Sequence, residues 1–469
     1  MSNHNEYTSP FEDRYGSHEM REIFSDDHKF STWRYLWFLL AKAERELGLD
    51  ISEAQVRELE LKVHDINYER AKEIEDECHH DVVAHIRAHG ETCPIAKPII
   101  HLGATSCYVT DNTEVLQCYE ALLLITKSLI SVIEELVEFA DRNTDVPTLA
   151  YTHHQPAQPT TVGKRACMWI QDLILDLEQL ISYTSKIKLL GCKGATGNAS
   201  SFLKLFDGDE EKVMSLERRI IANLPIKSVF PISGQTYTRK QDSNTMQILS
   251  GIAQSASKFA NDIRLLSNMG EIEEPHASSQ VGSSAMPYKS NPILCERMNS
   301  LSRFVICGEQ NFAMTASSQW LERTLDDSAN RRIVIPEMFL ATDELLNIYS
   351  TVVKGLQVNY DRILVNMTDK LPFMAAENIL MHCVNKGGDR QELHEKLRMF
   401  AESAKKNGGG SKFLRLIDKE DDFDITMKEM EEIVMDPALT GMAYTQSAIF
   451  LTHVRSFIES INERQGQKA

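Results

Sequence analysis

No apolar run in the 469 residues approaches the roughly 20 that a membrane-spanning helix requires, so no membrane partner is expected. No C-x-x-C pair is present. The nine cysteines, an odd number, are scattered from Cys78 to Cys383, which predicts reduced thiols in a cytoplasmic protein and not a disulfide framework. Positive charge is the scarcer sign: 50 Lys and Arg against 68 Asp and Glu leave −18, which excludes nucleic acid or an anionic lipid surface as the main partner. An anionic small molecule stays possible only where arginine and lysine gather locally. The opening, MSNHNEYTSPFEDRYG, is too polar and acidic to read as a signal or transit peptide. Strand signals are also scarce, with no sustained alternation and no Asn-Gly or Asp-Gly turn between β-branched runs.

Helical periodicity fills the space those absences leave. In FSDDHKFSTWRYLWFLLAKAERELG, Trp33, Trp37, Leu40 and Leu47 keep near-helical spacing and Gly48 is a stop signal. Ser52 and Gln55 form a capping-box pattern for the next helix. Asp111 and Glu114 read as the start of a long helix reaching about Asp141, with Val115, Tyr119, Leu122, Leu129, Ile133 and Leu136 on one stripe. A second long pattern runs from Val162 to Leu190, its stripe formed by Ala166, Trp169, Leu173, Leu177 and Leu180. A third spans Tyr237–Asn268, carrying Leu249, Ile252, Ala256, Phe259, Ile263 and Leu266; a fourth spans Pro292–Ala316 and a fifth Ala329–Gly355, with Pro336 near the start of the fifth or else kinking it. Beyond Val358 the patterns shorten and stop at Gly387-Gly388 and Gly408-Gly409-Gly410. The expectation is an all-α chain of three helical domains: 1–105, a central long-helix bundle over 106–358, and 359–469. Apolar stripes wider than one chain needs favour oligomerisation through helix contacts.

Chemistry must then lie in the breaks between rods. These are HHD at 79–81, ATS at 104–106, YTHHQPAQ at 151–158, and SSQVGSSAMPYKSNPILCE at 278–296. The last holds Ser283, Ser284 and Lys289 among Gly282, Pro287 and Pro292, and it reads either as a functional loop or as a polar surface linker. His79, His80, His85 and His89 invite a metal reading, but the one i, i+4 pair has no HExxH or carboxylate to complete it, so no metal is expected. His80-Asp81 reads better as polar site residues or a helix cap. The loop GCKGATGNAS lacks the G-K-[ST] ending of a phosphate loop and any preceding strand, which dismisses nucleotide-phosphate binding there. Arg323, Ser328, Arg331 and Arg332 crowd ten residues; they form either an anion clamp or a solvated helix start paired to Glu322, Asp326 and Asp327.

The run GSSAMPYKSNP resembles the signature loop of the fumarase/aspartase superfamily, over eleven positions. DRY at Asp13–Tyr15, FSDDHKFSTWRYLW, HLGATSCYVTDNT, YTHHQPAQPTTVGKR, SGQTYTRK and ERTLDDSANRR further resemble the adenylosuccinate lyase branch. These matches reach from residue 13 to about 400. The resemblance implies a homotetramer whose central helices form a common core, with each site assembled from three subunits. It implies purine nucleotide substrates, no cofactor, and β-elimination of fumarate from adenylosuccinate and from the succinyl-aminoimidazole carboxamide ribotide.

The same resemblance assigns roles. Ser283 is the base, favoured as an alkoxide by Lys289 and nearby N–H groups. His153 is the acid, because imidazole can hold and give a proton near neutral pH. His80 orients substrate, and Glu296 orients His80 or His153. Binding falls to Arg14, Tyr15, His79, His80, Asp81, Thr105, Ser106, Thr152, Gln235, Arg297, Arg323, Ser328 and Arg332. Two positions depart from the pattern. His79 stands where many relatives carry arginine, and His154 beside His153 duplicates the candidate acid, although T-H-x-Q-x-A-Q spacing selects His153 and leaves His154 to packing or surface. The competing readings are an argininosuccinate lyase or fumarase type of enzyme, and a non-enzymatic crystallin-like scaffold.

Overall fold

The computed structural model describes residues 5–276, 286 and 289–466. The chain is all-α, with nineteen α-helices among the described residues and only two short two-stranded sheets. Two compact units are interleaved along the sequence. One comprises Met1–Leu129, Asp176–Gln254 and Ser300–Asn347; the other comprises Ile130–Leu175, Ser255–Asn299 and Ile348–Ala469.

The helices up to the fifth long one are α1 His18–Ile23, α2 Asp26–Glu46, α3 Glu53–Leu61, α4 Tyr68–Cys78, α5 Asp81–Thr92, α6 Ser106–Arg142, α7 Val162–Thr184, α8 Ser200–Leu205, α9 Glu210–Ile221, α10 Lys240–Asn268, α11 Ile293–Ser317 and α12 Asp327–Gly355. Seven more follow, from Tyr360–Thr368 to Ala443–Gly466. Among the described residues, no helix is long and apolar enough to cross a membrane.

The stripes foreseen from spacing are the buried faces. In the first unit Trp33, Trp37 and Leu40 of α2, Val115, Leu122 and Leu129 of α6, Leu177 and Leu180 of α7, and Leu249 and Ile252 of α10 are all buried. In the second, Ile133 and Leu136, then Ala166, Trp169 and Leu173, then Ala256, Phe259, Ile263 and Leu266 continue those stripes. Each such side chain contributes about 1.5–3 kcal/mol on burial, far more than helix propensity does. The α3 cap forms as its sequence suggests: the Ser52 hydroxyl accepts from the Gln55 N–H and the Gln55 amide accepts from the Ser52 N–H. Gly48, at φ +96°, ends α2 in the left-handed region that glycine tolerates.

Three local expectations differ from the structure; in one, α7 ends at Thr184, six residues short of the expected Leu190. Helix α6 starts at Ser106, five residues before the acidic cap signal, so Asp111 is a buried helical side chain and not a cap. The 147–163 break contains an antiparallel hairpin, β1 Pro147–Thr152 and β2 Gln155–Thr161, with Thr152 paired to Gln155. Its two-residue turn is His153-His154, at φ +52° and +58°. Positive φ at both turn positions is the primed geometry that usually selects Asn-Gly. Two histidines conceal it from a composition-based reading. Helix α12 meanwhile runs on through Pro336, which has no N–H to offer the Arg332 carbonyl.

Candidate active site

In the first unit, α2 and four further separated stretches meet around a cavity of about 370 Å³. The α4–α5 junction supplies His79, His80 and Asp81; α6 supplies Ser106; the segment before α10 supplies Gln235; the α11–α12 junction supplies Arg323, Ser328 and Arg332. These eight are site residues named from sequence. The first turns of α5, α6 and α12 all border the cavity, and their N–H groups find local acceptors, Val82 on Asp81, Tyr108 on Thr105 and Ser328 on Leu325. His79, in the left-handed region at φ 52°, closes α4, and His80 is the N-cap of α5, its ring nitrogen accepting from the Val83 N–H at 3.4 Å. The pair is thus a helix break with its side chains at the cavity wall.

Gln235 is held by the glycine loop. Its amide donates to the Ala195 carbonyl at 3.0 Å and its backbone N–H donates to the Glu322 carbonyl at 2.9 Å. Any Cβ on Gly197 would stand 2.0 Å from the Ser233 carbonyl, and one on Gly234 would stand 2.4 Å from that of Glu322. Gly197 and Gly234 therefore permit close backbone packing on either side of the Gln235 turn.

A buried ionic network supports the floor. The Arg239 guanidinium donates to both carboxylate oxygens of Asp111 (3.0 and 3.2 Å) and, through Nε, to Asp327 at 2.7 Å. Arg331 pairs with Asp242 at 2.8 Å and Glu114 at 2.7 Å, and donates to the Tyr237 hydroxyl at 2.7 Å. That hydroxyl donates in turn to Asp242. Arg323 reaches Asp327 at 2.8 Å, and Arg332 pairs with Asp81. Of the two readings left open above, the local pairing appears in part. Arg323 makes a local i, i+4 pair, while Arg331 and Arg332 tie α12 to distant acids. Burial works to raise the Asp327 carboxyl, but Arg239, Arg323 and Arg331 outweigh it and hold the group below the ordinary range. At Asp81, too, burial is outweighed by Arg332, the Val82 N–H and Lys29.

Several named residues lie elsewhere. Thr105 precedes α6, where its carbonyl accepts from the Tyr108 N–H at 2.9 Å, and it does not line the cavity. Arg14 and Tyr15 belong to an N-terminal segment fixed near the middle of α12, where the Ser17 N–H donates to Asp343 at 2.6 Å and the Gly16 N–H to Glu344 at 3.2 Å. Glu344 is twelve residues beyond Arg332, the nearest α12 residue on the cavity, or about 18 Å along the helix. These two side chains therefore do not reach their own chain's cavity. Thr152 and His153 are exposed in the second unit at the hairpin end. Arg165 of α7, buried, donates to the Leu149 carbonyl of β1, and Trp169 donates to Asp262 of α10 at 2.7 Å, which fixes the hairpin base. His154 and Tyr151 line a separate cavity of about 350 Å³ beside Lys164 and Arg165. Lys289, exposed, donates its N–H to the Met286 carbonyl at 3.1 Å. Glu296 is exposed and Arg297 half-buried in the first turns of α11. Ser283 lies outside the described residues.

Sequence reasoning missed Lys29, Asp111, Arg239 and Asp327, all of which line the cavity. For Lys29 a signal existed, since it precedes Trp33 by one helical turn and so falls on the buried stripe of α2. For the Asp111–Arg239 pair none did, because 128 residues separate the partners.

Comparison with known proteins completes the description. The family described as Lyase matches residues 14–307, and that described as Adenylosuccinate lyase C-terminus matches residues 372–448. The chain is similar to an adenylosuccinate lyase of Saccharomyces cerevisiae, 43% identical over 458 residues that cover 96% of this chain and 95% of that one. Another, from Schistosoma mansoni, is 40% identical over 475 residues, covering 99% and 98%. In fold it is similar to a fumarate lyase from Mesorhizobium sp. BNC1, with TM-score 0.82, 22% identity, and 95% and 99% of the two chains covered. A 3-carboxy-cis,cis-muconate lactonizing enzyme from Pseudomonas putida gives TM-score 0.84 at 22% identity, covering 94% and 98%.

Proposed function

The chain belongs to the adenylosuccinate lyase family, and we propose that it eliminates fumarate from adenylosuccinate to leave AMP, and from the succinyl-aminoimidazole carboxamide ribotide to leave the carboxamide. The observation that carries the reading to this chain's own residues is the cavity where His80, Asp81, Ser106, Gln235, Arg323, Ser328 and Arg332 converge from four parts of the sequence. Such a set offers cations and hydroxyl or amide donors to a phosphorylated, carboxylated substrate.

In the reaction a proton leaves the carbon beside a carboxylate, charge builds on that carboxylate, and the neighbouring C–N bond breaks. Ser283 removes the proton as an alkoxide, with Lys289 and nearby N–H groups stabilising the anion. His153, presented at an exposed two-residue turn, protonates the departing nitrogen. His80 orients substrate from the start of α5, and Glu296 orients a histidine. Thr152 and Thr105 supply neutral hydrogen bonds, and Arg297 a further cation. We infer a cytoplasmic homotetramer built on the 106–358 bundle, with sites shared by three subunits. Supporting this, Arg14 and Tyr15 sit about 18 Å along α12 from their own chain's cavity, where they can serve a neighbour's.

The deciding assay follows fumarate release from adenylosuccinate, argininosuccinate and malate. Release from the first alone is expected; turnover of only either of the others overturns the reading. Ser283→Ala should bind substrate without turnover, and a variant of near-normal rate would remove Ser283 as base. Mixing inactive Ser283 and His153 variants should restore activity after subunit exchange.

A further inference from the structure

Lys29 lies on α2 and borders the cavity beside Asp81, Glu114 and Arg332. The other lysine and arginine side chains on the lining are matched to acids: Arg239 to Asp111 and Asp327, Arg323 to Asp327, Arg331 to Glu114 and Asp242, Arg332 to Asp81. Among the described residues, no carboxylate lies within ion-pairing distance of the Lys29 ammonium. It is half-buried instead over aromatic faces, 4.9 Å from the Phe30 ring centre and 5.5 Å from that of Trp33. Burial, then the neighbouring Arg332, lowers its hold on its proton. Glu114, Asp26 and Asp81 oppose that shift from longer range, but Glu114 and Asp81 are each paired to an arginine, so the Lys29 ammonium has no close counter-ion of its own at the cavity wall.

We propose that Lys29 is a substrate-positioning residue that contacts the phosphate of the nucleotide; this rests on the function proposed above. A planar carboxylate is best held by a free guanidinium fork, and the forks of Arg239 and Arg331 are occupied by Asp111, Asp242 and Glu114. A phosphate accepts from many directions and suits what remains: a point-charge ammonium and the Ser106 and Ser328 hydroxyls. The Phe30 and Trp33 rings hold the Lys29 ammonium itself by cation–π contact, so the group is placed before substrate arrives.

The test is calorimetric binding of AMP and adenosine to wild type, Lys29→Met and Lys29→Arg, together with KM and kcat for adenylosuccinate. Methionine preserves the packing over Phe30 and Trp33. Lys29→Met should weaken AMP about ten- to a hundred-fold and raise KM similarly, with adenosine affinity within two-fold and kcat far less affected; Lys29→Arg should recover most of the AMP affinity. In wild type, AMP but not adenosine should protect Lys29 from acetylation, read by mass spectrometry, which needs no variant to fold. AMP affinity unchanged in Lys29→Met, an equal fall for adenosine, or loss confined to succinate inhibition would each overturn the inference, as would acetylation indifferent to AMP. A wild type that releases no fumarate defeats the proposed function; one that does so while Lys29→Met binds AMP normally defeats only the role of Lys29.

Discussion

Acid should loosen the α5 region before the rest of the chain titrates, and two buried histidines set the size of the effect. His85 and His89 occupy successive turns of α5, 5% and 0% exposed. His85 stacks on Phe30 at 3.7 Å and meets Trp33 edge-on at 5.5 Å; His89 lies against Trp37 at 5.9 Å, with the Cys93 sulfur 3.7 Å from Nδ1. Burial first, and then the Arg34 guanidinium, pushes His85 down to about 4 and His89 down to about 3. Lys29 adds to the effect on His85 and Asp81 opposes it; for His89 the opposing charge is Asp65. Both rings are therefore neutral in the fold at pH 5, whereas an unfolded histidine titrates near 6.5. Because the unfolded chain binds more protons below that value, stability rises with pH through this window and is lost on acidification. Relative to pH 7.5, each ring costs about 2 kcal/mol at pH 5, about 4 kcal/mol for the pair. Urea unfolding followed by tryptophan fluorescence reads this where Trp33 and Trp37 touch the histidines. The double variant His85→Phe/His89→Leu should lose about 4 kcal/mol of the wild type's difference between pH 7.5 and 5. Other titrating groups cancel in that comparison. An identical pH dependence in variant and wild type would refute the reasoning.

Three further outcomes are expected. Glu44, fully buried on α2 with neither oxygen hydrogen-bonded, is pushed up to about 9 by burial, so its contribution is fully present below about pH 4.5 and declines as pH rises. Glu44→Gln should therefore gain about 4 kcal/mol on wild type between pH 4.5 and 7.5 in the same urea series, and parallel curves reject this. Arg239→Met leaves Asp111 and Asp327 buried without their shared cation and should cost about 3–5 kcal/mol, partly restored by adding Asp111→Asn and Asp327→Asn. A loss below about 1 kcal/mol would mean that the network does not hold α12 in place. His154→Gly relieves a left-handed residue and should stabilise the hairpin by about 1 kcal/mol with turnover retained. His153→Gly gives similar relief but should slow turnover about a hundred-fold or more, and near-normal turnover would exclude His153 as acid.

Side-chain periodicity made the long helices legible, because burial of Leu122, Trp169 or Phe259 is a property of local spacing. The α6 start was misplaced for an equally physical reason. An aspartate reads as a cap when it has no visible partner, and the partner that buries Asp111 is Arg239, which only folding brings near. The hairpin escaped because its turn strains two histidines where glycine would be easier. At the site, polar islands such as His79–Asp81 and Arg323–Arg332 stood out between helices, while Lys29 was hidden inside one. The family signature named Ser283 and His153 without locating them relative to the cavity.

How a chain of net −18 can accommodate a polyanion is answered by orientation more than by count. Among the acids and bases on the cavity lining, Glu75, Asp81, Asp111, Glu114 and Asp327 balance Lys29, Arg239, Arg323, Arg331 and Arg332. With equal numbers, no strong positive well arises from summed charge. Four of the acids, however, are engaged by arginines. Glu75 is exposed to water. An anion entering the cavity meets two serine hydroxyls and the Lys29 ammonium. These donors are fixed before binding, so little reorganisation is needed to receive charge. Helix α12 does both jobs in six residues: Asp327 and Arg331 lock its first turn to α6 and α10, and that lock aims Ser328 and Arg332 at the cavity. Acidic residues are thus part of how an anion site is built here, since they hold the cations and the helix starts in place.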